Sequence, residues 1–365
     1  MSQLLDTTLA HLRVLVAFDT RNPPRAIDGG GIFAWLRTNL PGFECRVIDH
    51  GAGAVSLLAI RGKPRLLFNV HLDTVPDSPH WSASPFELRV DGERAVGLGA
   101  CDIKGAAAAL LAAAQATQGD AAFLFTSDEE ANDPRCIAAF LAGSQADRFD
   151  GVIVAEPTHG AAVLAHRGIS SVLMRFHGQA GHASARQDPA ASALHQALRW
   201  GARALDQVDA LAQERFGELS GLRFNVGRIE GGIKANVIAP EAELRFGFRP
   251  LPSMDVDALL AQFRALLPVA GSEFSETFRG PALPASKPAQ AQEARARAQA
   301  LANSLGLPIG AAVDFWTEAA LFSQAGKTAF VYGPGDIAQA HSADEWVALD
   351  QLQAYVTQVH RILQA

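Results

Sequence analysis

Five residues scattered along this chain carry side chains of the kind that bind divalent cations: His71, Asp102, Glu130, Glu156 and His341. Two imidazoles and three carboxylates make a borderline ligand set, suited to zinc and tolerant of cobalt or manganese. Five ligands serve two metal ions if one carboxylate bridges, and Asp102 is the best candidate for the bridge. Two ions about 3.5–4 Å apart can activate a water and polarise an amide carbonyl, the two tasks that amide hydrolysis sets. Asp73 follows His71 by two residues, on the same strand face, where it could accept the spare imidazole N–H and fix the tautomer. Glu129 and Glu130 are adjacent, so in regular structure their side chains diverge. That divergence gives Glu130 to the metal and Glu129 to the proton, as a general base that deprotonates water and protonates the leaving amine.

Singly, each signal has a bland reading. A His-x-Asp pair is commonly a surface hydrogen bond, an Asp ahead of a helix is commonly an N-cap, and Asp128-Glu129-Glu130 is commonly a solvated acidic loop. The elements that carry the residues join them. Leu66 to Val70, Ala122 to Phe125, Val152 to Ala155 and Ala329 to Tyr332 are apolar runs of the length of buried strands. The first three run into His71-Leu-Asp73, Ser127-Asp-Glu-Glu130 and Glu156-Pro157, and the fourth into Gly333-Pro-Gly335. In an open α/β sheet the ligand crevice lies outside the carboxyl ends of the strands, so residues distant in sequence converge there. Asp102, in Gly97-Leu-Gly-Ala-Cys-Asp-Ile-Lys-Gly105, precedes an Ala-rich helix expected near 105–117, and His341 precedes a helix expected near 349–363. Leu4 to Val16 reads as a first amphipathic helix, closed by Thr20-Arg-Asn-Pro-Pro24.

At 365 residues the chain exceeds one ordinary hydrophobic core, and 48% hydrophobic against 19% charged residues describes a globular protein. The pattern changes between 166 and 281, with half-buried strands at Ser170 to His177 and Ala242 to Phe248 and helices near 189–207 and 255–267. Gly280 to Gln292, rich in Pro and Ala, reads as a linker back. The expected organisation is a metal-site domain formed by 1–165 plus 282–365, interrupted by an insert over 166–281. A net charge of -7, with 31 Lys+Arg against 38 Asp+Glu, offers no basic footprint for nucleic acid or an anionic membrane. Cys45, Cys101 and Cys136 are too few and scattered for a disulfide framework. Met1 to Phe18 lacks the form of a signal peptide, and no apolar run reaches the roughly 18 residues of a membrane span, so a cytoplasmic protein is expected.

With these residues in view, the chain resembles, over nearly its whole length, the dinuclear zinc aminoacylase and carboxypeptidase family that includes acetylornithine deacetylase. The likeness rests on His71-Leu-Asp-Thr-Val-Pro76, Gly97 to Gly105, Ser127-Asp-Glu-Glu130, Glu156-Pro-Thr158, Gly181-His-Ala-Ser184 and Gln339-Ala-His341. It implies a mostly parallel-sheet α/β metallohydrolase domain covered by helices, with an inserted α+β lid domain that also forms a homodimer. It further implies that His71 and Glu156 hold one metal, Glu130 and His341 the other, with Asp102 between them and a cis peptide after Asp102. His182 matches a lid histidine that stabilises the oxyanion in the partner subunit's site. Asn236, in Gly231-Gly-Ile-Lys-Ala-Asn236, and Arg249, in Phe248-Arg-Pro-Leu-Pro252, match substrate-facing positions, Arg249 being suited to an α-carboxylate. Asp314 to Ala319 and Tyr332 to His341 resemble the arginine-pathway deacetylases. Among these, Glu130 to Phe140 and Gly231 to Asn236 imply N-acetyl-L-citrulline as substrate, with acetylornithine or another acylated amino acid as the alternative. A metal-binding assembly protein without turnover is the non-enzymatic alternative, but a purely structural site needs no extra carboxylate such as Glu129.

Overall fold

The computed structural model describes residues 2–131, 135–184, 188, 191–267 and 272–365. Asn132-Asp133-Pro134, in the segment after Glu130, and the first two positions of the helix expected at 189–207 lie outside the described residues. The chain divides into two compact units. One comprises Met1–Leu164, Arg295–Gly310 and Thr317–Ala365; the other comprises Ala165–Ala294 and Ala311–Trp316.

The first unit is built on a six-stranded sheet in the order Glu44–Asp49, Val55–Arg61, Ala121–Thr126, Leu66–His71, Gly151–Val154, Thr328–Val331. The last four strands are the apolar runs read from the sequence. They pair in parallel, while the first two are antiparallel additions at one edge. Residues such as Phe68, Val70, Phe123, Phe125, Ile153 and Phe330 are fully buried, as a strand covered on both faces requires. Helices Gln3–Ala17, Lys104–Gln115 and Leu349–Gln364 pack against one another and join the same core. Ser2 starts the first of them by accepting the Leu5 N–H at 3.3 Å. The middle helix is apolar all round, Ala106 to Ala114 being buried throughout, which fits a helix packed on every side. A Cβ at Gly105 would collide with the Ala100 carbonyl oxygen, so only glycine lets this helix start so close to the loop before it.

The second unit is a four-stranded antiparallel sheet ordered Arg223–Gly231, Glu241–Arg249, Ile169–His177, Glu273–Gly280. Helices Ala193–Ala210 and Val256–Ala265 share its core: Trp200 packs with Phe246 and Phe263 and donates its indole N–H to the Phe263 carbonyl at 2.9 Å. The two central strands alternate as expected, with Val172, Met174, Phe176, Ala242, Leu244, Phe246 and Phe248 inward. The two outer strands carry register shifts, between Val226 and Arg228 and between Glu276 and Phe278, which interrupt their period of two. The Gly280–Gln292 stretch is pinned rather than free: His166 and Leu283 exchange both backbone hydrogen bonds, at 3.0 and 3.1 Å. Among the described residues no helix is long and apolar enough to cross a membrane.

Candidate metal centre

Parallel pairing brings three ligand-bearing strand ends to one edge of the first sheet. His71 is the last residue of its strand, Glu130 follows the strand Ala121–Thr126 by four residues, and Glu156 follows Gly151–Val154 by two. The ladder runs on past the strands, Leu72 N–H donating to Thr126 and Ala155 N–H to Asn69, at 2.8 and 2.9 Å. These bonds fix the backbone beside His71 and Glu156. Asp102 arrives from the loop ahead of the Ala-rich helix, and the Asp102–Ile103 peptide is cis, as expected. His341 arrives from the loop between a 3-10 turn, Ile337–Gln339, and the short strand Trp346–Ala348, with φ of 57°.

The five residues meet as two overlapping groups, His71-Asp102-Glu156 and Asp102-Glu130-His341, each with ligand atoms within 4.8 Å of one another. Asp102 belongs to both. Its Oδ1 stands 3.2 Å from His71 Nε2 and its Oδ2 3.2 Å from His341 Nε2. Glu156 Oε1 lies 3.7 Å from His71 Nε2, and Glu130 Oε1 lies 2.9 Å from His341 Nε2. His71, Asp102 and Glu156 are buried, Glu130 is half-buried and His341 is exposed, so the cluster has a closed side and an open one. One imidazole with two carboxylates at each position is a donor set that fits zinc-type divalent cations.

The charges of the cluster fit that occupant too. Burial opposes protonation of His71, yet the Glu156 charge and the hydrogen bond with Asp102 outweigh it and hold the imidazole well above its usual range. Hydrogen bonds with Asp102 and Glu130 push His341 up to about 11. Burial acts to raise Asp102, but its hydrogen bonds with His341 and His71 prevail and hold it below the usual carboxylate range. Burial raises Glu156 to about 7. The same carboxylates that favour protons on the two imidazoles would favour a divalent cation in their place.

Around the cluster, Asp73 meets His71 through its main chain as well as its carboxylate. His71 Nδ1 is hydrogen-bonded to the main-chain carbonyl of Asp73 at 3.0 Å, whereas the Asp73 carboxylate lies 3.6 Å away. The strand ends at His71, and the turn beyond it aims the carbonyl at the ring. The carboxylate is also used elsewhere: its Oδ2 accepts the Glu130 N–H and the Asn22 side-chain amide, each at 3.0 Å. Sequence reasoning saw Asn22 only as part of a helix-ending loop; its one signal was a polar residue between helix and proline pair. Glu129 is half-buried, and its carboxylate makes no hydrogen bond to another described residue. Burial, opposed by His71 and reinforced by Glu156 and Glu130, raises it well above the usual range.

The remaining expected site residues belong to the second unit. His182 is exposed, its Nδ1 2.7 Å from Ser184 Oγ and accepting the Ser184 N–H at 3.3 Å, which leaves Nε2 as the donor in the neutral ring. Its loop is paired with that of Asn236: the Ala183 N–H donates to the Asn236 carbonyl at 3.0 Å. Arg249 is half-buried at the end of its strand and lines a groove of about 600 Å³ with Ser171, Arg223, Asn225 and Arg245. Asp314 is bound instead by the buried Arg167. Arg249 itself makes no ion pair with a described residue.

Residues 67–365, which hold the five clustered residues together with Asp73, Glu129, His182, Asn236 and Arg249, match the peptidase family M20/M25/M40. The chain is 69% identical over 364 residues to the N-acetyl-L-citrulline deacetylase of Xanthomonas campestris pv. campestris, covering 100% of this chain and 99% of that protein. This chain belongs to the M20/M25/M40 family. It is also 33% identical over 328 residues to the acetylornithine deacetylase of Edwardsiella ictaluri, covering 84% and 82% of the two chains. Among solved structures, aminopeptidase PepT from Bacillus cereus superposes with a TM-score of 0.76 at 18% identity, over 99% of this chain and 98% of that one. The M20 family metallo-carboxypeptidase Sso-CP2 from Sulfolobus solfataricus gives 0.67 at 15%, over 100% and 99%. At such identities the likeness concerns the fold, and the α/β metallohydrolase with an inserted domain is the M20 architecture.

Proposed function

We propose that this chain hydrolyses N-acetyl-L-citrulline to L-citrulline and acetate, as a cytoplasmic step of arginine biosynthesis. The observation that carries the reading is the 69% identity, across the whole chain, with a relative named for that activity, against 33% with one named for acetylornithine. The water oxygen bonds to the acetyl carbon, the amide C–N bond breaks, and one water proton ends on the amino nitrogen.

In this reading two divalent cations occupy the two groups, zinc first, with cobalt or manganese as substitutes. His71 and Glu156 would hold one, Glu130 and His341 the other, with Asp102 shared between the two groups. When bound, such cations would supply Lewis acidity for the acetyl carbonyl and for the attacking water. Glu129, unengaged by hydrogen bonds, takes the water proton and delivers it to the leaving nitrogen. Asp73 orients His71 through its carbonyl and the Glu130 backbone through its carboxylate. The Nε2 donor of His182 stabilises the developing oxyanion in the site of a partner subunit. Arg249, with no carboxylate partner of its own, pairs with the substrate α-carboxylate, and Asn236 adds a polar contact. Domain bounds of 1–165 plus 282–365 and 166–281 serve this scheme, with the inserted domain as lid and dimer interface.

Acetate release by protein stripped of metal and then supplied with zinc or cobalt tests the proposal, with N-acetyl-L-citrulline and N-acetyl-L-ornithine compared at equal concentration. A higher kcat/KM for the citrulline compound, and none without metal, is the expected result. A higher value for the ornithine compound would reassign the substrate.

A further inference from the structure

We infer that Glu345 is the positioning residue that holds Asp102 where its two carboxylate oxygens serve both groups at once. The inference rests on the reading of those groups as cation sites. The short strand Trp346–Ala348 pairs antiparallel with Arg94–Val96, Trp346 standing opposite Val96, and the Gly97 N–H donates to the Glu345 carbonyl at 3.0 Å. This register lays Glu345 alongside the Gly97-to-Asp102 loop. There its side chain is 2% exposed, and three main-chain amides converge on it. Oε2 accepts the Gly99 N–H at 2.9 Å, and Oε1 accepts those of Cys101 at 2.8 Å and Asp102 at 2.9 Å.

A carboxylate so deeply buried is costly unless its lone pairs are occupied, and amide donors to a charged acceptor form strong bonds. The arrangement therefore resists any shift of the loop. It holds the Asp102 backbone by its own nitrogen while the side chain extends to His71 on one oxygen and His341 on the other. Glu345 lies only four residues beyond His341. One segment thus supplies the imidazole of the second group and fixes the carboxylate that both groups share. Loss of the Glu345 carboxylate should leave His71, Glu156, Glu130 and His341 in position but deprive both cation positions of a well-placed shared oxygen.

The test uses full-length protein stripped with a chelator and titrated with Co²⁺, followed by calorimetry and visible absorption, for the native chain, E345A and E345Q. The native chain should bind two equivalents. E345A should bind at least one of them about 10- to 100-fold more weakly, with an altered cobalt spectrum. With saturating metal, kcat should fall by a similar factor while KM stays within about twofold. E345Q keeps an oxygen for the Cys101 and Asp102 amides and turns its amide towards Gly99, so it should recover part of the loss. Two equivalents bound with native affinity and native spectrum in both variants would overturn the inference and leave the cation reading standing. If E345A does not fold, as judged by circular dichroism, E345Q decides by the same criteria. Failure of the native chain to take up cobalt would overturn the cation reading, and the inference with it.

Discussion

Adjacent in sequence, Glu129 and Glu130 have separate fates in the structure. Glu130 is bonded through its carboxylate to His341 and through its backbone to Asp73, while Glu129 is left without a hydrogen bond among described residues. Glu129→Ala should therefore lower kcat by about 10²- to 10⁴-fold while the protein still binds two metal ions, measured by elemental analysis beside steady-state rates. Loss of metal in that variant would refute the separation of roles. Asn22→Ala removes one of the two donors to a fully buried carboxylate oxygen of Asp73. It should destabilise the metal-free protein by about 1–3 kcal/mol in urea unfolding; an unchanged midpoint would show that the bond contributes nothing. The cluster of five was legible because its residue types stand just past apolar runs or beside an expected helix. The carbonyl that orients His71 was not, since a main-chain contact leaves no mark on residue type. Nor was Asn22, whose significance lies in a contact made 51 residues away along the chain.

Strands and loops set these side chains by backbone approach as much as by register. Gly333, just beyond the strand Thr328–Val331, passes so close to Glu156 that a Cβ there would collide with its carbonyl oxygen and stand 3.0 Å from its nitrogen. Backbone cannot yield as a flexible side chain does. Gly333→Ala should destabilise the protein by about 1–3 kcal/mol and weaken metal binding by displacing Glu156, read by thermal unfolding and cobalt titration. Native behaviour on both would show that the two loops slide apart freely. The four parallel strands could be read from composition because burial on both faces demands unbroken apolar runs. Arg223–Gly231 and Glu273–Gly280 could not: they are edge strands, largely exposed, and each has a bulge that breaks the alternation. Val55–Arg61, although buried, is antiparallel to its neighbours and ends in no candidate ligand, so no strand-end residue marks it in the sequence.

For the molecule as a whole, the candidate ligands run from His71 to His341, so cations bound as proposed would tie a strand early in the chain to a loop near its end. Metal binding is then also folding energy: cation at about 100 times its dissociation constant adds about 2.7 kcal/mol per site. A chelator should lower the unfolding temperature, and zinc should restore it. Assembly is the other property at this scale. Helix Ala193–Ala210 exposes Leu198 and Leu205, 60% and 53% accessible and seven residues apart on one helix face, and Ile233 is 71% accessible. The outer strand Arg223–Gly231 is hydrogen-bonded to the sheet on one side only. Apolar side chains beside an unpaired edge are what the proposed homodimer would bury. Burying a leucine contributes about 1.5–3 kcal/mol, and each 1.4 kcal/mol is about tenfold in association, so L198E/L205E should convert a dimer to a monomer in size-exclusion light scattering. If His182 acts in the partner subunit's site, that monomer should bind its metals normally yet lose activity. A fully active monomer would confine catalysis to a single chain and remove His182 from the oxyanion role assigned to it across subunits.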